Sequence, residues 1–385
     1  MSLNISVPPR LRLPGSGEKR SATWLELFFD LVFVISVAEL VHRLGHHVSV
    51  QEVGQFIALF IPVWWCWVGH TVYATRFDTD DMIHRSLTFT MMFAAAVMAM
   101  QIPTAFETGS VGFAGGYVLA RLCLLMLYTR ARRHVPEARK MTTLYLSGFG
   151  LGALCWLVSL LVPSPERFIL WATGIAIDFI IPWLGRKRIL QKAPLDTSHF
   201  PERFGLFTII VLGETILAVV SGLSDAVWYW PSITAAILAF LLAVNIWWMY
   251  FTYIHQADHE GKLGSGQPFI YGHLPLVLGL AAVGVGVKNT IMQAHESALT
   301  FQTSILLSGA IGIWILSFLL IQYVSIERSL LASLRIPYTA AFLVAVLLSF
   351  GWQLPPLVVL FLFNLVFAVL LLMQLRVFGA FEHAF

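Results

Sequence analysis

Three acidic residues, Glu26, Asp30 and Glu39, lie in a run otherwise apolar enough to enter a bilayer. A charge at mid-bilayer costs about 2.5–3.5 kcal/mol on insertion scales, so the run demands protonation, an ionic partner or contact with water. Their spacing puts Glu26 and Asp30 one turn apart on the same helix face, while Glu39 points elsewhere. A second stretch repeats the theme, with Glu202 at its start and Glu214 about 18 Å deeper at 1.5 Å per residue. Asp178, Arg121 and His70 fall inside three further apolar runs. Two deep carboxylates, Glu214 and Asp178, then face one deep cation, Arg121, which leaves a carboxylate to hold a proton or an external cation. Groups of this kind are default candidates for proton relays or solute sites. A blander reading stands beside it: Glu26, Glu202 and Arg203 also suit helix ends, where acids complement the helix dipole and basic loops offer partners.

Aromatic residues suggest walls for a solute. Trp64 and Trp65 recur as Trp247 and Trp248 in the other half, with Asn245 nearby as a hydrogen-bonding group. Interfacial anchoring is the competing role for tryptophan. Other groups carry less. His42, His46 and His47 read as a solvated loop, Asp78, Asp80 and Asp81 as a turn before a helix, and Lys288 as a snorkelling cation. His84 and His273 each enter a helix, where they could gate protons or simply hydrogen-bond. No spacing points to a metal, a cofactor, a nucleotide or a catalytic nucleophile. Cys66, Cys123 and Cys155 lie in apolar runs without CxxC spacing and read as packing residues.

The elements that must position these groups follow from composition. Of 385 residues, 58% are hydrophobic and 12% charged, far below the roughly 25% charge of a soluble domain. The apolar runs reach the roughly 20 residues that a spanning helix needs. They fall at about 24–44, 53–75, 86–106, 111–130, 142–162, 167–184, 204–222, 231–254, 272–290, 301–324, 336–353 and 355–375. The expectation is an all-α polytopic membrane protein of about twelve transmembrane helices. With the N-terminus inside, twenty of the 24 Lys and Arg residues fall on inner segments and three (Arg43, Arg167, Lys288) on the outer side. That bias predicts the cytoplasmic membrane, with both termini cytoplasmic.

Internal matches suggest duplication. Glu26 and Glu39 correspond to Glu202 and Glu214, Trp64-Trp65 to Trp247-Trp248, and His84 to His273, at offsets that grow smoothly along the chain. Six helices return the chain to its starting side, so the repeats would be parallel. The expected organisation is a cytoplasmic tail over 1–22 and a first six-helix half over 23–190. A linker over 191–203 leads to a second half over 204–376 and a tail over 377–385.

Trp24-Leu-Glu-Leu-Phe-Phe-Asp-Leu-Val-Phe-Val34 and Glu202-Arg-Phe-Gly-Leu-Phe-Thr-Ile-Ile-Val-Leu-Gly-Glu214 closely resemble signatures of the bacterial low-temperature-requirement protein A (LtrA) family. His273-Leu-Pro275 resembles that family's pattern as well. The resemblance covers roughly residues 20–375. It implies a multi-pass membrane protein of a family named for growth in the cold, and transfers no catalytic residue. Two functional readings come from the residues themselves. The first is a secondary transporter of a small solute or ion, coupled to protons, with Glu214 and Asp30 as carriers and no partner beyond that solute and membrane lipid. The alternative is a membrane-embedded enzyme or lipid-handling protein using His70, His84 and the carboxylates as acid–base groups.

Overall fold

The structure is a computed structural model in which residues 5–12, 22–184, 200–260, 266–325, 328–349 and 353–382 are described. Most of the expected N-terminal tail, the basic stretch Arg186, Lys187 and Arg188, most of the 191–203 linker and the last three residues lie outside them.

Among the described residues, twelve α-helices account for nearly all regular structure. In the first part of the chain they are α1 (Trp24–His46), α2 (Val50–Arg76), α3 (Met82–Gln101), α4 (Ser110–His134), α5 (Arg139–Ser159) and α6 (Arg167–Leu184). The second part holds α7 (Phe200–Asp225), α8 (Trp230–Glu260), α9 (Gln267–Met292), α10 (Phe301–Ser325), α11 (Arg328–Ser349) and α12 (Pro356–Glu382). Eleven are long and apolar enough to cross a membrane. The remaining helix, α1, has 23 residues but carries Glu26, Asp30, Glu39 and Arg43. This is the all-α, multi-span architecture that the apolar runs predict. Pro355 and Pro356 end the break between α11 and α12, and Pro356 occupies the first position of α12, where its missing N–H is not needed.

One feature was not foreseen. Arg10–Leu11 (β1) pairs antiparallel with Phe77–Asp78 (β2), directly after α2. Arg12 Nη2 meets Asp78 Oδ1 at 2.7 Å, and the Arg12 amide donates to the Arg76 carbonyl at 3.0 Å. Residues Arg10, Leu11 and Arg12 therefore have a defined place, held by backbone and charge, that a polar tail does not imply.

The chain forms two compact units. The first comprises Met1–Leu40, Ala58–Arg203 and Ser265–Gln267; the second comprises Val41–Ile57, Phe204–Gly264 and Pro268–Phe385. In the first, α5 and α6 approach through glycine. Gly148 and Gly152, spaced four apart, lie on the side of α5 facing α6, at Ile181 and Gly174 respectively, and a Cβ on Gly174 would stand 2.9 Å from the Gly152 carbonyl oxygen. Small residues at such spacing let backbones meet where lipid offers no hydrophobic drive. Trp156 seals the same contact, stacked between Tyr117 (4.1 Å) and Trp171 (4.8 Å). The second unit is held by neutral polar links. Gln374 Nε2 donates to the Met249 carbonyl at 3.0 Å and Gln374 Oε1 accepts from the Tyr338 hydroxyl at 2.9 Å, which ties α8, α11 and α12 together.

Packing of this kind has a signed consequence. Alanine is better than glycine in a helix by about 1 kcal/mol, so Gly150→Ala, where a Cβ meets nothing within 4 Å, is expected to hold or raise the melting temperature of the purified protein. Gly174→Ala is expected to lower it, because overpacking costs about 1–3 kcal/mol.

Candidate functional site

Asp30 is the most deeply placed acid of α1 and is fully buried in the first unit. Asp30 Oδ1 accepts from Arg203 Nη2 at 2.7 Å and from Trp67 Nε1 at 2.7 Å. Asp30 Oδ2 has no hydrogen-bond partner among the described residues. Arg203, in the first turn of α7, is itself buried, and its Nη1 lies 3.9 Å from Glu26 Oε2. Glu26, one turn before Asp30, caps its own helix by accepting from the Thr23 amide at 2.8 Å and the Thr23 hydroxyl at 3.0 Å. Glu202 accepts from the Ala22 amide at 3.0 Å. Glu26, Asp30, Glu202 and Arg203 thus form one charged cluster around the start of α1.

His70 and His84 extend the cluster. The His70 ring packs on Phe29 at 4.1 Å and lies 5.9 Å from the His84 ring, at a small interplanar angle. Its tautomer follows from its neighbour. Thr88 has one hydroxyl hydrogen, which it donates to the His84 carbonyl at 2.9 Å. His70 Nε2, 3.2 Å from the same hydroxyl, must therefore be the donor there. His70 Nδ1 is left with a bare lone pair and has no partner among the described residues.

A cavity of about 440 Å³ reaches these groups, lined among others by Thr23, Glu26, His70, His84, Asp80 and Arg85. Its rim is ionically braced: Arg85 pairs with Asp80 at 2.7 Å, and Arg12 with Asp78. Beside it, Asp81 caps α3 by accepting from the His84 amide at 2.7 Å. It also binds the Val7 amide at 2.7 Å and Arg130 Nη2 at 2.5 Å, so the segment before β1 is fastened at the same point.

The other expected residues lie apart from this cluster. Arg121 Nη2 meets Asp178 Oδ2 at 2.9 Å, both fully buried, and Tyr117 donates to the same oxygen at 2.8 Å. The Arg121 guanidinium lies over the Phe149 ring at 4.7 Å. Asp178 and Arg121 therefore neutralise each other in place. Glu39 and Glu214 are half-buried and make no hydrogen bond among the described residues. Trp64 and Trp65 are buried, with Trp65 stacked on Phe179 at 4.1 Å, whereas Trp247 and Trp248 are 42% and 48% exposed. Asn245 donates to Asn364 at 3.1 Å. The two tryptophan pairs thus have different surroundings.

Three participants carry no signal in the sequence reading. Trp67, the donor to Asp30, sits in an apolar run beside other tryptophans with nothing to set it apart. Thr88 looks like a helix residue of no consequence. Arg76, counted among basic residues at a membrane boundary, is fully buried with its guanidinium 5.9 Å from the Tyr145 ring centre. The hydroxyls and rings that receive charge sit inside apolar runs, where nothing distinguishes them from packing.

The second unit contains a neutral counterpart. The Thr208 hydroxyl donates to Tyr250 at 3.2 Å, the Tyr250 hydroxyl is 2.9 Å from His273 Nε2, and His273 Nδ1 is 2.8 Å from the Phe269 carbonyl. A carbonyl only accepts, so Nδ1 carries the hydrogen and Nε2 accepts from Tyr250. Both nitrogens of His273 are satisfied, unlike those of His70.

A family model described as "Bacterial low temperature requirement A protein (LtrA)" matches residues 21–373. "Uncharacterized protein RA0937" of Rhizobium meliloti (strain 1021) is 28% identical over 298 residues, which cover 72% of each chain. No solved structure matches.

Two outcomes follow from this geometry. Removing one partner of a buried ion pair leaves an uncompensated charge and costs about 3–5 kcal/mol. Arg203→Ala is therefore expected to destabilise the purified protein strongly, while Asp30→Asn combined with Arg203→Ala recovers much of the loss in thermal unfolding. Burial would raise the Asp81 carboxyl, but hydrogen bonds from Arg130 and the amides of Val7 and His84 outweigh it and hold it below its ordinary 3.8. A lowered folded-state value means stability that is present above the ordinary value and lost as pH falls through the folded one. The melting-temperature gap between wild type and Asp81→Asn should be full at neutral pH and close in acid.

Proposed function

The chain belongs to the bacterial low temperature requirement A family, and from that premise we propose that it is a proton-coupled secondary transporter of a small solute. In this reading it resides in the cytoplasmic membrane with both termini cytoplasmic, and its two six-helix halves are parallel repeats. The basic residues support the orientation. Corresponding links support the repeat: Trp67 and Tyr250 stand at the same offset as the tryptophan pairs, and each joins the second helix of its half to the first, Trp67 through Asp30 and Tyr250 through Thr208.

The observation that carries the proposal is the unpartnered Nδ1 of His70, a residue that lines a cavity and belongs to the same cluster as the buried Asp30–Arg203 pair. A proton entering past Glu26 and His84 has an acceptor in His70 Nδ1. Once charged, His70 adds a second positive charge to the surroundings of Arg203, which weakens the hold of Arg203 on Asp30 by Coulomb repulsion. Asp30, with one oxygen already unpartnered, then becomes the next carrier or the counter-ion of a solute. Glu214, half-buried and without such neighbours, has the lesser part. Membrane lipid and the solute are the only partners this reading needs.

Proteoliposomes loaded with a pH-sensitive dye test it. Pools of amino acids, sugars, carboxylates and inorganic cations are added outside, and solute-dependent proton movement is read. Wild type should respond to at least one pool. His70→Gln and Asp30→Asn should lower the response about tenfold or more, the scale of general acid–base contributions, while Trp247→Phe leaves it near wild type. No response to any pool, or responses unchanged by both substitutions, would overturn the proposal.

A further inference from the structure

The second unit contains a cavity of about 490 Å³ that the proton cluster does not use. It is bounded by the connection from α1 to α2, the first turns of α2, the middle of α9 and the first half of α10. Its polar lining side chains are His47, Ser49 and Gln302, all at one end, where α2 and α10 begin. Below them the walls are apolar or lack a side chain, ending at Gly279, Gly309 and Ile313.

We propose that this groove is a binding site for one acyl chain of a bilayer phospholipid, with the headgroup held at the His47, Ser49 and Gln302 end. Three observations select that occupant. The polarity is graded along one axis, with hydrogen-bonding groups only at the end of the helices, as an amphiphile requires. The length fits one leaflet: Phe301 to Ile313 descends about 18 Å at 1.5 Å per residue, against roughly 15 Å for half of a 30 Å hydrocarbon core. The groove also opens outward, since Val50 and Phe301 at its mouth are largely exposed and Ile305 and Ile313 along it are 40% exposed. In a membrane-spanning chain those faces meet lipid. A chain of methylenes fits a floor where side chains are absent.

Gly309 supplies the test. A Cβ built there meets nothing within 4 Å, so a large side chain enters the groove without displacing backbone. Gly150 in α5 is equally open and lies in the first unit, away from the groove. Full-length protein is reconstituted with a phosphatidylcholine carrying a photoreactive diazirine in one acyl chain, irradiated and mapped by peptide mass spectrometry. Labelling should concentrate on the α9 and α10 segments around Gly279 and Ile305–Ile313. Gly309→Phe should reduce labelling there about tenfold or more, with Gly150→Phe at the wild-type level. Even labelling of all lipid-facing helices, or undiminished labelling of Gly309→Phe, overturns the assignment. So does a change of oligomeric state with Gly309→Phe, which would give the groove to a second copy. Circular dichroism and elution volume establish that each variant is folded, and Gly309→Leu serves in place of Gly309→Phe if the larger ring prevents folding.

Discussion

A carboxylate inside a membrane-spanning helix has to be answered by another group, and in this protein Arg203 answers Asp30. The pair is buried, 173 positions apart in sequence, and reinforced by Trp67. Its consequences reach beyond two residues. Arg203 opens α7, so the start of that helix is fixed to α1 by a bond that neither can break without exposing a charge to low dielectric. Glu26 and Glu202 gather around the same point, one near Arg203 and one on the Ala22 amide that leads into α1. The geometry of the cavity mouth, with Thr23 and Glu26 in its lining, depends on this knot.

The two units answer burial with different chemistry. The first uses charge: Asp30 with Arg203, and Asp178 with Arg121 and Tyr117. The second uses neutral groups, in the Thr208–Tyr250–His273 chain and the Asn245–Asn364 and Tyr338–Gln374 links. Charged pairs in low dielectric are sensitive to any added charge nearby, whereas saturated neutral chains are not. His273 has both nitrogens committed and nothing to gain from a proton. His70 has one nitrogen open.

The fold was largely legible in the chain, because an apolar run of spanning length is a local property. The α11–α12 break was legible for the same reason, through Pro355 and Pro356. The ordered contact of Arg10–Leu11 with Phe77–Asp78 was not, since two-residue pairing between distant segments leaves no periodic mark. For the site, the sequence brought the intramembrane acids forward but not the contacts each of them makes. Counting Glu214 and Asp178 against Arg121 treats deep charges as a shared pool. Packing instead assigns Arg121 to Asp178 within one unit and leaves Glu214 elsewhere, half-buried. Arg203 read as a helix-end residue because its depth along α7 is small, yet burial is set by what surrounds a helix end, not by its distance from the terminus. The tautomer of His70 depends on a single hydroxyl hydrogen of Thr88, which no residue pattern encodes.

That hydrogen also explains why burial alone does not define the working groups. Arg121 and Asp178 are as buried as Asp30, but each faces its opposite charge, with Tyr117 on the shared oxygen, and Gly152 presses close to the carboxylate. Its other oxygen, Asp178 Oδ1, has no hydrogen-bond partner among the described residues, but neither Asp178 nor Arg121 is among the residues lining the cavity of about 440 Å³. Around Asp30 a second ionisable residue stands close by. His70, whose Nδ1 has no partner among the described residues, is among those lining the cavity, and the ion pair belongs to the same cluster. A group able to change charge is useful only where the change has a route in and a bond to act on. The cluster at the start of α1 meets both conditions, whereas the deeper Arg121–Asp178 pair meets one.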